Sequence, residues 1–203
     1  MPVFVIANPK GGVGKSTFAT NLAGYFATRG HKVMLGDVDV QQSSRSWLAL
    51  RPPNLAPISA WEIGSGFVAR PPQGTTHMVL DTPAGFDGVR FDEVLRIADK
   101  VIVPLQPSMF DILATQAFLQ KLIARKDKVQ VGVLGMRVNS RTRAAEQLSH
   151  YVDNLGLPVL GFLRDTQNYV QLAAQGATVW DAAPSRVEKD QEQWQSVLDW
   201  VGR

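Results

Sequence analysis

Two lysines five residues apart, Lys10 and Lys15, stand in the run Asn8-Pro9-Lys10-Gly11-Gly12-Val13-Gly14-Lys15-Ser16-Thr17. Glycines let a backbone curl until its N–H groups face a polyphosphate, and Lys15 adds a point charge at the β- and γ-phosphates. Ser16 can present its hydroxyl to Mg2+, and a helix starting near Ser16 adds the positive end of its dipole. These residue types, in this order, imply a nucleoside-triphosphate site. In the pattern G-x-x-x-x-G-K-[ST] the first glycine falls five residues before Gly14, where this chain has Pro9. Lys10 cannot share the place of Lys15 in the cradle. Two destinations are open to it: its own phosphates, or a nucleotide held by a second copy of the chain.

Three further stretches could carry chemistry. Asp81 ends the apolar run Met78-Val79-Leu80 and opens the turn Asp81-Thr82-Pro83-Ala84-Gly85. A carboxylate there, beside a phosphate loop, anchors Mg2+ through water; a turn-initiating Asp is the bland alternative. Asp37 and Asp39 follow another strand-like run at a spacing of two, so that one of them should face the γ-phosphate. Otherwise both are solvated turn residues. In Arg137-Val138-Asn139-Ser140-Arg141 the Asn139 amide offers a donor beside an acceptor, which suits an adenine edge, or it caps the next helix. His31, His77 and His150 are scattered without ligand spacing.

The elements that must position these residues alternate along the chain. Strands are expected at Val3–Ala7, Lys32–Gly36, near Ile58, Met78–Leu80, Lys100–Pro104, Val129–Met136 and Val159–Phe162. Helices are expected from Ser16 to about Arg29 (Phe18, Leu22, Tyr25 and Phe26 at helical spacing), Ser43–Leu50, around Trp61–Ala69, Val89–Ala98, Asp111–Arg125, Thr142–Leu155, Tyr169–Gln175 and Val187–Val201. In the Asp111–Arg125 helix the inward positions read as Leu113, Ala117 and Leu122. The pattern implies an α/β fold, doubly wound, with a mostly parallel sheet of seven or so strands and helices on both faces. Ligands in such sheets sit beyond the carboxyl ends of the strands.

At 203 residues, 45% hydrophobic and 19% charged, the chain reads as a single domain spanning 1–203. Zero cysteines exclude disulfides, thiolate zinc and cysteine-held iron–sulfur clusters. No signal peptide and no apolar run of about 18 residues is present, so a cytoplasmic chain is expected. The net charge of +3 is unevenly spread: residues 121–143 carry +6 and the rest −3. That segment suggests contact with nucleic acid, or else a solvated basic face. Trp194, Val197, Leu198 and Val201 form an apolar stripe, but residues 187–203 are net −2, which suits core packing and not an anionic membrane.

The string K-G-G-x-G-K-[ST]-T resembles the deviant P-loop of the ParA/MinD superfamily of partitioning ATPases. The resemblance extends to Asp37-Val38-Asp39-Val40-Gln41-Gln42, similar to an Asp-x-Asp-x-Gln element, and to the Asp-Thr-Pro at Asp81. It implies a P-loop NTPase-like ATPase with a slow basal rate, using ATP and Mg2+. Its cofactor contacts would be Lys10, Gly11, Gly12, Val13, Gly14, Lys15, Ser16, Thr17 and Asn139, with Ser16 and Asp81 at the metal. Lys10 would be the lysine that crosses an ATP-bound homodimer, and Asp39 would help position the attacking water beside Lys15. Val40 stands where most members have proline, a departure that leaves the carboxylate intact.

In small ParA proteins, arginines in the region equivalent to Arg141 and Arg143, and in a second region where Arg164 lies, contact DNA phosphates without sequence preference; by themselves these three are ordinary surface arginines. The resemblance thus implies a nucleoid-associated chain whose hydrolysis is stimulated by a ParB-like or adaptor protein. Its cargo would be a plasmid, a chromosomal origin or a protein assembly, with no stable membrane association. The P-loop begins at residue 8, so a DNA-reading domain ahead of it, and with it operator-specific repression, is not expected. The alternative is a membrane- or flagellum-linked regulator of the MinD type.

Overall fold

Runs of apolar residues long enough for a strand but too short for a helix recur along the chain, and those that form the central strands are buried on both faces. The computed structural model describes residues 1–39, 41–61, 71–125, 129–139, 142–154 and 156–203. Among these, β1 (Val3–Ile6), β2 (Val33–Asp37), β3 (Ile58–Trp61), β4 (His77–Asp81), β5 (Lys100–Leu105), β6 (Gln130–Met136) and β7 (Val159–Leu163) form one sheet. Its order is β3-β2-β4-β1-β5-β6-β7, with every pair parallel. The connecting helices are α1 (Lys15–Thr28), α2 (Ser43–Leu50), α3 (Gly88–Ile97), α4 (Met109–Ala124), α5 (Arg143–Asn154), α6 (Gln167–Ala173) and α7 (Pro184–Val201). The helix expected around Trp61–Ala69 lies outside the described residues beyond Trp61, which ends β3.

The period-two alternation of the strands divides the core. Val3, Val5, Met78, Leu80, Val101 and Val103 face one side, where α3, α4 and α5 supply Phe91, Leu95, Ile112, Leu119 and Leu148. Phe4, Ile6, Val33, Leu35, Val79 and Ile102 face the other, against Phe18, Leu22 and Phe26 of α1 and Trp47 of α2. Trp194, Val197 and Val201 of α7 pack there too, with Trp194 stacked on Phe18 at 4.7 Å between centroids. The apolar stripe of the last helix is therefore core, as its acidic flanks suggested. No helix of the described residues is long and apolar enough to cross a membrane.

One face is phased differently from the reading of its sequence. On α4, Leu113 and Ala117 are exposed, and the buried stripe is Asp111, Ile112, Thr115, Phe118, Leu119 and Leu122. Two polar residues lie in that stripe because they hold the phosphate loop, as described below. An apolar-only count cannot see such a stripe.

At the opposite end of the sheet, His77 lies between Phe26 (centroids 4.2 Å) and His31 (4.1 Å). Burial, and then the neighbouring His31, push His77 down to about 4. The folded chain refuses a proton that the unfolded chain accepts near 6.5, so stability falls as pH drops from 6.5 toward 4. After discounting for its half-exposed ring, the loss is expected to be about 1 kcal/mol. His77→Phe keeps the ring stack and should flatten this limb of a urea-unfolding series across pH.

Candidate nucleotide site

The loop that follows β1 leaves the sheet between β4 and β5, where the chain's crossovers diverge toward opposite edges. Its curl depends on glycines with positive φ: Gly12 at 74° and Gly14 at 96°. A Cβ on Gly14 would also stand 2.8 Å from Met136 Cε, so conformation and space both require glycine there. Neighbours pin the loop on two sides. Asn8, buried, donates through Nδ2 to Pro104 O (2.8 Å) and Thr115 Oγ1 (3.2 Å), and its Oδ1 accepts from the Lys10 amide (2.8 Å). Gln106 Nε2 donates to Gly12 O (2.9 Å), and the Gly85 amide donates to Pro9 O (2.7 Å).

Within this frame Lys15 is buried and its Nζ donates to the carbonyls of Asn8 (3.1 Å) and Lys10 (2.9 Å). Burial lowers its pKa, against the opposing pull of Asp81 and then Asp39. The ammonium thus spans the cradle, held by neutral carbonyls at a place where an anion would bind it more strongly. A cavity of about 570 Å³ opens over the loop, lined by Gly11, Gly12, Gly14, Lys15, Ser16 and Thr17. Asp39, Gln41, Ser43, Thr82, Pro83, Ala84 and Arg137 complete it. Val13, also in the loop, is buried beneath it.

The three aspartates take different roles. Asp37 spends its carboxylate on backbone amides, accepting from Asp39 N (2.9 Å) through Oδ1 and from Ser44 N (2.8 Å) through Oδ2, which anchors the start of α2. Asp39 therefore faces the cavity and Asp37 does not. Asp81 is 1% exposed, and its Oδ2 accepts from Ser44 Oγ at 2.7 Å. Burial pushes its pKa up to about 6, against the opposing effect of the neighbouring Ser16 and Ser44 hydroxyls. Its Oδ1 is buried with no hydrogen-bond partner.

An orphaned carboxylate oxygen beside the Ser16 hydroxyl fits a divalent cation. Among the described residues no cluster of three or more His, Cys, Asp or Glu could hold a metal by itself. That donor set suits Mg2+, which keeps several waters and takes the rest of its ligands from phosphate oxygens.

Other residues named from the sequence are not gathered here. Asn139 is exposed two positions beyond Arg137 and is not in the cavity lining. Arg143 is exposed at the first position of α5, and Arg141 and Val40 lie outside the described residues. Arg164 is engaged elsewhere: its Nε donates to Asp190 Oδ1 at 2.5 Å, and the Asp190 side chain is wholly buried on α7. That ion pair gives Arg164 a structural task that the sequence did not reveal.

The basic segment 121–143 is divided as well. Lys121 pairs with Asp87 (2.8 Å) and Arg125 with Asp92 (2.5 Å) at the far end of α4. Arg137 and Arg143 lie across β6, about 20 Å away at some 3.3 Å per residue.

Sequence reasoning passed over Ser44, Asn8, Thr115, Asp111 and Arg137. Arg137 alone carried a local sign, standing directly after a strand in a site-bearing turn. It adopts φ 53°, uncommon for a residue with a side chain and frequent at functional sites.

A family model described as the CobQ/CobB/MinD/ParA nucleotide binding domain matches residues 4–179. The maintenance of carboxysome distribution protein A of Gloeobacter kilaueensis is 27% identical over 181 residues, 87% of this chain and 83% of that protein. The chromosome-partitioning ATPase Soj of Thermus thermophilus is 52% identical over 46 residues, 23% of this chain and 18% of that protein. The septum site-determining protein MinD complexed with Mg-ADP, from Pyrococcus horikoshii OT3, superposes with a TM-score of 0.76 at 16% identity. That match covers 98% of this chain and 95% of that one. Likeness at such identity speaks for the fold alone. The family match spans most of the chain, so this chain belongs to the CobQ/CobB/MinD/ParA nucleotide-binding-domain family.

Proposed function

We propose that this protein is a ParA-type positioning ATPase. It binds ATP with Mg2+, closes into a nucleotide-sandwich homodimer, and in that form holds DNA without sequence preference. Hydrolysis to ADP and phosphate, stimulated by a partner protein, then releases it, so that a cargo is distributed over the nucleoid. The observation that carries this reading is the division of labour between the two lysines. Lys15 bridges the loop's own carbonyls, while the Lys10 ammonium turns out of the cradle. Lys10 is absent from the lining of the cavity over its own loop, which supports a destination on another chain's phosphates. The names of two relatives, one in carboxysome distribution and one in chromosome partitioning, support a positioning role.

In this reading Ser16 and Asp81 hold the cation, which would neutralise charge developing on the phosphates. Asp39 accepts a hydrogen bond from the attacking water. The single chain is expected to hydrolyse ATP below about 1 s⁻¹, slow on the enzyme scale. A partner, aided by DNA, should raise that rate. A phosphate-release assay on the purified chain tests this, and turnover well above that rate would contradict it.

DNA retention should require ATP and fall steeply with salt, since each neutralised phosphate adds about −0.9 to the slope of log K against log salt. A dimer doubles the arginines that face one duplex. Arg143 is the residue to test, because a change at Arg164 would strip a buried carboxylate of its cation and confound binding with unfolding. Arg143→Glu together with Arg141→Glu should abolish co-sedimentation with random-sequence duplex while nucleotide binding persists. Retention at wild-type affinity would place the DNA face elsewhere. Flotation of the wild type with anionic liposomes, and no DNA binding, would favour the MinD-type alternative. The burial of Trp194, Val197 and Val201 means that these residues of α7 would not themselves make the membrane contact.

A further inference from the structure

The Lys10 ammonium forms an ion pair with Asp111 Oδ1 in the first turn of α4. The two partners are unequal: Lys10 is 39% exposed, the Asp111 side chain only 5%. That carboxylate oxygen is buried and receives no hydrogen bond besides the ammonium. Asp111 is itself fixed. Its amide donates to Ser108 O (3.0 Å), and its carbonyl accepts from Thr115 Oγ1 (2.8 Å). Thr115 also bonds Asn8, whose Oδ1 takes the Lys10 amide. One turn of α4 therefore constrains the lysine at both its backbone and its tip.

We propose that Asp111 is a positioning residue that parks Lys10 within its own chain, and so sets how much ATP is needed to bring two copies together. This rests on the sandwich-dimer reading above. When Lys10 crosses to the phosphates of a second copy, it leaves behind a buried carboxylate with no counter-charge, an arrangement proteins strongly disfavour. Only a strongly anionic acceptor compensates, and a triphosphate offers more charge than a diphosphate. The toll falls on both chains, so any per-chain factor enters the dimerisation constant squared. Asp111→Asn keeps the shape and removes the charge. It should raise the dimerisation constant with ATP at least tenfold and make a dimer detectable with ADP.

Two measurements on the full chain, both in an Asp39→Ala background, test this together. The first is the acylation rate of Lys10 by an amine-reactive ester without nucleotide, read by peptide mass spectrometry. The second is sedimentation velocity with ATP and with ADP. In Asp111→Asn, Lys10 should react several-fold faster, because the ammonium has lost its carboxylate, and the dimer should tighten. Adding Lys10→Gln should erase the gain. Asp111→Ala, carried in parallel, has the same expected outcomes should the asparagine variant misfold.

Unchanged acylation alongside a normal ATP dimer of the parent overturns the parking role and leaves the sandwich intact. Faster acylation with equal or weaker dimerisation also overturns it, and would mean that Asp111 presents the lysine instead of withholding it. Faster acylation with no dimer of either protein at any nucleotide removes the sandwich reading, and this proposal with it.

Discussion

Lys15→Ala is expected to lower ATP affinity by about 10²–10³-fold, as read by equilibrium binding of a fluorescent ATP analogue. Charge-assisted hydrogen bonds contribute about 1.5–3 kcal/mol each, and every 1.4 kcal/mol is a factor of ten. The Lys15 ammonium already makes two bonds within the cradle, to Asn8 O and Lys10 O. Its loss therefore also leaves two carbonyls without a donor, and the nucleotide-free variant should unfold at slightly lower temperature. An affinity within threefold of wild type would mean that the cavity over Gly11–Thr17 is not where phosphate binds.

Asp39→Ala should behave in the opposite way toward nucleotide. ATP binding should survive, because Asp39 lines the cavity without contributing to the cradle, while hydrolysis should fall by about 10²–10⁴-fold, the usual worth of a positioned acid–base group. Single-turnover hydrolysis with radiolabelled ATP measures it. Asp37→Ala is the contrast: Asp37 anchors the amide of Ser44, which in turn bonds Asp81. Its replacement should therefore lower thermal stability and cation dependence together instead of selectively removing turnover.

The parts of this site that could be read from the sequence are the local ones. A phosphate loop is written in consecutive residues, because the glycines that permit positive φ and the lysine they frame lie within one turn of chain. The choice between Asp37 and Asp39 could not be made locally. It depends on Asp37 being consumed by the amides of Asp39 and Ser44, the second of them on a different element.

The α4 phase was misread for a related reason. Thr115 looks like a surface position until Asn8, more than 100 residues away in sequence, is seen to bond it, and Asp111 until the Lys10 ammonium is seen against it. Arg164 reads as a surface charge in the sequence, but α7 brings the buried Asp190 against it. The +6 segment reads as continuous when charge is summed along the chain, whereas β6 separates Lys121 and Arg125 from Arg137 and Arg143, at opposite ends of the strands.

The central claim, that two copies close over nucleotide through Lys10, is tested most directly by sedimentation velocity of Asp39→Ala, in which hydrolysis cannot dissolve the product. With saturating ATP and Mg2+ the protein should sediment as a dimer. With ADP it should be mainly monomer, and with Lys10→Ala added it should remain monomeric while still binding ATP. A monomer at saturating ATP, or a dimer indifferent to the loss of Lys10, would contradict the account.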